Sequence, residues 1–248
     1  MKLVNWNCAG AFRKKYRALD QFDADVLVIQ ECEDPAHSSQ AYRDWAGNYA
    51  WVGATRHKGL GVFARRGHRI KSLDWAGEFS VPVFAGHKVE QTWRTEDLQS
   101  FLPVRINDDI TLLAVWTKRA GSDTFNYIGQ LWKYLTIHLP DLPEQKGVAV
   151  GDFNSNVIWD RADRWWNHSD VVHILDQRGY RSAYHHVTGE EPGAESHPTY
   201  YMYRHPDKGY HIDYSFLTTD LLAQAQYQAC APQEWLQVSD HIPQIIQF

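Results

Sequence analysis

The chain is poor in cysteine, with three in 248 residues. Cys8, Cys32 and Cys230 are an odd number without metal-ligand spacing, which argues against a disulfide framework or a thiolate zinc site. A reducing cytoplasm is the expected compartment. Long apolar runs are also lacking. Met1 to Asn7 turns polar after two apolar side chains, so neither a membrane span nor a signal-peptide core is expected. Nor is there a cationic excess: 25 Lys and Arg face 30 Asp and Glu, a formal charge of −5. That balance argues against coating nucleic acid by broad phosphate contact, while leaving room for a local basic groove.

What is present is globular. Apolar residues make up 44% and charged residues 22%, and no low-complexity or linker-like stretch interrupts them. With domains of roughly 150 residues as the prior, one domain over residues 1–248 is the economical count. Eleven Trp and thirteen Tyr form an aromatic excess with two readings, core packing or platforms on which bases stack.

The apolar pattern opens as β-α-β: a buried strand Leu3 to Trp6, an amphipathic helix Phe12 to Phe22, and a strand Asp25 to Gln30. Val52, Gly59 to Phe63, Ile70 to Leu73, Val81 to Val89 and Phe101 to Ile106 read as short antiparallel strands, with a turn at Asn107-Asp108-Asp109. Ile110 to Val115 is a strongly apolar strand. After it, Phe125, Ile128, Leu131, Trp132 and Leu135 fall at helical spacing. A strand at Val148 to Val150 runs into Gly151-Asp152-Phe153-Asn154. Trp159 to Asn167 reads as an aromatic and charged loop before a helix capped by Ser169, running through Val172, Leu175 and Gln177 and stopped near Gly179. Strand-like pieces at Pro198 to Met202, Tyr210 to Leu217 and Ile242 to Ile246 finish the chain.

Polar clusters recur where these strands end, so their side chains can leave a sheet for one cleft: Trp6-Asn7, Gln30-Glu31, Gly151-Asp152-Phe153-Asn154 and Ser239-Asp240-His241, with His211-Ile212-Asp213-Tyr214 a fifth. Any one alone is an ordinary cap or turn. Together, Glu31, Asp152, Asp213 and Asp240 supply carboxylates, Asn7 and Asn154 supply amides, and His241 supplies a titratable nitrogen. Oxygen-rich donors without thiolate suit a hard cation, Mg²⁺ with retained waters or Mn²⁺ as a substitute.

In this order the clusters resemble the endonuclease/exonuclease/phosphatase superfamily, metal-dependent phosphoesterases with a deoxyribonuclease-I-like fold. The resemblance runs from Asn7 to His241. It implies a four-layered α/β sandwich, two mixed β-sheets packed face to face with helices outside, and a metal site at one edge. It also implies roles: Glu31 as principal metal ligand with Asn7 beside it and Asp240 near that or a second metal; Asp152 orienting or deprotonating the attacking water; Asn154 holding the scissile phosphate; and His241 contacting it, its imidazole oriented by Asp213. Thr199-Tyr200-Tyr201 resembles a structural strand of the family.

The chain departs from the pattern twice. Val115-Trp116-Thr117-Lys118 stands where many members carry Thr-His, leaving Lys118 or Tyr127 to supply the phosphate contact, and His211 stands where many carry Arg, keeping a donor for a weaker and pH-dependent phosphate or structural contact. Arg161 and Arg164, interleaved with Trp159, Trp165 and Trp166, form either a phosphate-gripping and stacking rim or a partly buried loop. His185, His186 and His197 read as loop or packing residues. The expected activity is hydrolysis of DNA or RNA phosphodiesters by an activated water. Hydrolysis of a nucleotide, cyclic nucleotide or inositol phosphate is the alternative, and an inactive binding module is the reading from another class. Neither a membrane nor an obligate protein partner is expected.

Overall fold

The computed structural model describes residues 1–82, 90–121 and 124–248. Among the described residues sixteen strands run in chain order: β1 Lys2–Asn7, β2 Val26–Cys32, β3 Tyr49–Thr55, β4 Lys58–Ala64, β5 Ile70–Ser72, β6 Glu78–Pro82, β7 Glu90–Arg94, β8 Phe101–Ile106, β9 Ile110–Trp116, β10 Gly147–Asp152, β11 Tyr180–Ser182, β12 Tyr200–Tyr201, β13 Gly209–Tyr210, β14 Asp213–Thr218, β15 Gln226–Ala229 and β16 Gln244–Gln247. The α-helices are α1 Gln40–Ala46, α2 Ile128–His138, α3 His168–Asp176, α4 Ala183–Thr188, α5 Thr219–Leu222 and α6 Pro232–Trp235.

Twelve of the strands build two six-stranded sheets, ordered β15-β16-β1-β2-β4-β3 and β11-β14-β10-β9-β8-β5. Each is mixed in the same way. One parallel pair, β1 with β2 or β9 with β10, sits at the centre and the flanking pairs are antiparallel. A parallel pair needs a crossover, and each pair has one on the outer face of its sheet, built from 3-10 turns between β1 and β2 and from α2 between β9 and β10.

Three apolar cores separate four layers. Between the sheets, Val26, Val28, Leu60 and Val62 of the first meet Val104, Leu112, Trp116 and Val150 of the second. Alternation does the sorting, because successive strand residues face opposite sides. The other faces of the same strands, Leu27, Ile29 and Phe63 in one sheet and Leu113, Val115 and Ala149 in the other, pack outward on Phe12, Tyr16, Tyr42 and Trp235 and on Leu131, Trp132, Leu135 and Leu175. Each such buried side chain contributes roughly 1.5–3 kcal/mol.

Several sequence expectations are corrected. Phe12 to Phe22 is not one helix but two 3-10 segments, Phe12–Lys14 and Tyr16–Phe22. The break at Lys15, whose φ is −121°, lets its ammonium donate to the carbonyls of Cys8 (2.6 Å) and Val238 (2.7 Å), tying the crossover to two site-bearing loops. Phe125 lies outside α2, because φ of 57° there and 50° at Tyr127 is incompatible with helical continuation. It is still core, buried against Trp132 and Trp166. The cap of α3 is Asn167, not Ser169. Asn167 N–H donates to Asp170 Oδ2 at 2.6 Å, while the Asp160 carboxylate accepts from the N–H groups of His168 and Ser169 at 2.8 and 3.1 Å, starting the helix earlier. Of the strand read at Val81 to Val89, Val81 and Pro82 lie in β6, which pairs with β7, and residues 83–89 lie outside the described residues. Core packing accounts for Trp6, Trp93, Trp116 and Trp235, whereas Trp159 and Trp165 are exposed, Trp165 with its ring against Trp132.

Candidate active site

The carboxyl ends of the two parallel pairs lie at one edge of the sandwich, and that placement gathers side chains distant in sequence. β1 ends in Asn7, β2 in Gln30-Glu31-Cys32, and β10 in Asp152. β14 starts with Asp213, which pairs in register with Asp152, so two carboxylates are adjacent by strand pairing alone. Gly151 is required just before them. A Cβ there would lie 1.9 Å from the Val115 carbonyl oxygen of the neighbouring strand.

Glu31 is presented differently. The β2–β4 register slips between Gln30 and Cys32, leaving Glu31 as a bulge residue with φ of 65°. Bulges re-aim a side chain out of the ladder, and a non-glycine residue in this region carries strain that the surrounding pairing must hold. The freed carboxylate meets the Lys58 ammonium at 2.7 Å.

At the centre, His241 Nδ1 lies 2.9 Å from Asp213 Oδ2, and His241 Nε2 lies 4.0 Å from Asp152 Oδ2. Asn7 Nδ2 donates to the same Asp152 oxygen at 2.9 Å, and the Asn154 N–H donates to Asp152 Oδ1 at 2.9 Å. All of these groups except Asn154 are almost fully buried. Burial raises Asp152 to about 7, the Asp213 charge adding to the rise and His241 opposing it. For His241, burial alone acts downward, but Asp213 and then Asp152 outweigh it and push the imidazole up to about 9. The pair is thus an imidazolium locked on a carboxylate, with its other nitrogen facing an acid that titrates near neutrality.

This core stands on polar braces from residues that the sequence reading marks, Trp6, Thr199 and Ser239, and from Gln244, whose specific bonds it does not reveal. Thr199 Oγ1 accepts from the N–H groups of Ile212 and Asp213 at 3.1 and 3.0 Å, giving the Thr-Tyr strand a specific task. Ser239 Oγ donates to the Asn7 carbonyl at 2.8 Å and accepts from the His241 N–H at 3.1 Å. Trp6 Nε1 donates to the His241 carbonyl at 3.0 Å, and Gln244 Nε2 donates to the Asp213 carbonyl at 2.7 Å. The readable signal was polarity inside apolar strands at Asn5, Gln30 and Gln244, which bond one another in the interior.

Asn7, Asp152, Asn154, Asp213 and His241 are therefore brought together. Asp240 adjoins them in sequence, its carbonyl accepting from the Tyr201 N–H at 2.8 Å. Lys118 places its ammonium 4.6 Å from the centre of the Trp116 ring, and its carbonyl accepts from the Tyr127 N–H at 3.0 Å. Tyr127, Arg161 and Arg164 line one groove of about 600 Å³ that reaches Asn154 and includes Trp159 and Trp166. His211 is the exception and a correction. At 3% exposure its ring packs on Tyr184 and Tyr214, with Nδ1 2.9 Å from the His197 carbonyl, so it has no face at the rim.

Among the described residues, Asp152, Asp213 and His241 form the cluster whose candidate metal-ligating atoms all lie within 4.8 Å of one another. Asp213 Oδ1 is buried without a hydrogen-bond donor. The carboxylates of Asp152 and Asp213, one oxygen unsatisfied, with the Asn7 amide beside Asp152 and no thiolate in the cluster, suit a hard divalent cation; His241, kept protonated by Asp213, offers it no lone pair. Among the described residues no helix is long and apolar enough to cross a membrane.

No family model matches the chain, and no curated protein matches it in sequence. Solved structures do match, over its full length. A 3′-5′ exonuclease from Neisseria meningitidis superposes with a TM-score of 0.70 at 17% identity, covering 100% of this chain and 99% of that one. An AP endonuclease from Archaeoglobus fulgidus gives 0.69 at 15%, with the same coverage. An endonuclease/exonuclease/phosphatase protein from Beutenbergia cavernae gives 0.57 at 14%, covering 99% of this chain and 70% of that one. The likeness establishes the deoxyribonuclease-I-like fold.

Proposed function

We propose that this protein is a divalent-cation-dependent phosphoesterase that hydrolyses phosphodiester bonds of nucleic acid. The observation that carries the reading is the Asp213–His241 pair facing an Asp152 held by Asn7 and the Asn154 N–H. A phosphodiester is anionic and resists attack, so hydrolysis needs an aligned water, a proton acceptor and positive charge on the phosphate oxygens. Asp152, raised to about 7, is matched to taking a proton near neutral pH. His241, kept protonated by Asp213, is matched to donating to a phosphate oxygen.

Glu31, Asn7 and Asp240 would hold the cation, Mg²⁺ or Mn²⁺, with the carboxylate of Asp152 close by. When bound, it supplies Lewis-acid neutralisation of a non-bridging oxygen. Asn154 orients the phosphate. The polymer reading is favoured over a small phosphoester by the groove leading from Asn154, because Arg161 and Arg164 line it beside Trp159 and Trp166 and neither arginine has an ion pair among the described residues. Its solved likenesses include a Neisseria 3′ phosphatase bound to a product DNA hairpin.

The test is a hydrolysis panel of single- and double-stranded DNA, RNA, abasic DNA, cyclic nucleotides and phosphomonoesters with Mg²⁺, Mn²⁺ or EDTA. Expected is polymer cleavage abolished by EDTA and by Asp152→Asn. Turnover that survives both overturns the mechanism, and cleavage of small esters alone moves the substrate to the alternative class. Binding without any turnover makes the protein a binding module. Charge reversal at Arg161 and Arg164 is expected to raise KM for polymers roughly tenfold and to leave small esters unchanged, the response of a phosphate contact outside the reacting centre.

A further inference from the structure

Lys58 opens β4 directly after the two-residue turn Arg56-His57, with Thr55 paired opposite it. Its ammonium closes on Glu31 Oε2 at 2.7 Å and also lies 5.7 Å from the centre of the Trp116 ring, whose centre is 4.6 Å from the Lys118 ammonium. Trp116 fills the seam between the two sheets. Two lysines, one opening β4 and one in the loop after β9, thus flank one indole at the mouth of the site, and the only carboxylate ion-paired there among the described residues is the one that the bulge at residue 31 turns outward. Lys58 is half exposed and Glu31 mostly covered, so the pair is held in place by the carboxylate while the ammonium keeps a solvent face.

We propose that Lys58 is a built-in competitor for the cation at Glu31, displaced when a divalent ion binds and then free, beside Lys118, to meet the anionic oxygens of the substrate. The inference rests on the reading of Glu31 as a cation ligand. Even with a divalent ion on Oε1, an ammonium 2.7 Å from Oε2 of the same carboxylate repels the ion and draws off the charge that would bind it. Cation entry therefore opens the Lys58–Glu31 pair. By linkage, an anion that draws Lys58 away strengthens cation binding, and the cation strengthens anion binding by the same factor. Lys118 adds to the same field, its ammonium pKa lowered by burial and by Lys58 and supported by Glu31.

The experiment is Mn²⁺ binding to the full chain, read from the spectrum of free Mn²⁺ by electron paramagnetic resonance, with no substrate present. Lys58→Met keeps the alkyl stem on Trp116 and removes the charge. It is expected to bind Mn²⁺ about three- to fivefold more tightly than wild type, the size of a partly exposed ion pair. Lys58→Arg, which retains the charge, is expected to stay at the wild-type affinity. In Glu31→Gln, binding is expected to weaken and Lys58→Met to add nothing further. Equal Mn²⁺ affinity in wild type and Lys58→Met overturns the inference while leaving the cation site standing. If Glu31→Gln binds as wild type does, the assignment of Glu31 itself falls, and the inference with it.

Discussion

His168 tests how far the groove wall depends on buried neutral histidine. It is the first residue of α3, 4% exposed, with its ring 4.8 Å from that of Tyr214 and Nδ1 without a partner. Burial lowers its pKa from 6.5 to about 4, with Asp160 and Glu195 opposing and the neighbouring His185 and His211 adding to the fall. A cation at a helix N-terminus is disfavoured as well. Because the folded pKa lies below the unfolded one, the unfolded chain binds the proton first. Stability is fully present above about pH 6.5 and drains as pH falls toward about 4. At 1.36 kcal/mol for each pH unit, the loss at about pH 5 is about 2 kcal/mol, and it reaches about 3 kcal/mol below pH 4. His168→Phe keeps a ring against Tyr214 and removes the titration. Urea unfolding at about pH 8 and about pH 5 is the assay, and the variant is expected to lose about 2 kcal/mol less than wild type between the two. Equal losses would refute the argument, since burial of an uncharged His168 would then not be what the acid undoes.

Two further outcomes are expected. In Gly151→Ala the new Cβ would meet the Val115 carbonyl at 1.9 Å, between central strands that cannot separate, so the loss of stability should exceed about 3 kcal/mol by urea unfolding; a loss under about 1 kcal/mol contradicts the close approach. Asp213→Asn removes the charge that holds His241 up, so the imidazole's titration midpoint, followed by NMR, should fall from about 9, and kcat for phosphodiester cleavage should drop about a hundred- to ten-thousand-fold; an unmoved midpoint contradicts the pairing.

Much of the architecture was legible because it rests on local periodicity. The buried strands at Leu3 to Trp6, Ile110 to Val115 and Val148 to Val150 are continuous apolar runs, and the switch from Val150 to Gly151-Asp152-Phe153-Asn154 marks a strand end wherever the strand is placed. The crossover at Phe12 to Phe22 was misread because apolar spacing is shared by an α-helix and a pair of 3-10 turns; what separates them is the Lys15 ammonium reaching carbonyls of Cys8 and Val238, and Val238 is remote in sequence. His211 was misplaced for a similar reason. Its residue type and its position before Ile212-Asp213 suit a rim contact, but the packing of Tyr184 and Tyr214 closes over it.

The sequence by itself determined which chemistry is available, carboxylates, amides and histidines at the ends of apolar strands; burial of Cys8 and Cys32, which adjoin Asn7 and Glu31, pushes their thiols up and keeps thiolate out of that set. Tertiary structure decided the rest. Asp152 and Asp213 become neighbours only through antiparallel register, Asn7 reaches Asp152 only because two sheets pack face to face, and Glu31 meets Lys58 only through a bulge. The physical reason is that residue types and periodicity are local, whereas charge-to-charge distance and dielectric are properties of what lies beside a group in space, and these set whether Asp152 is an ordinary turn acid or one raised to about 7.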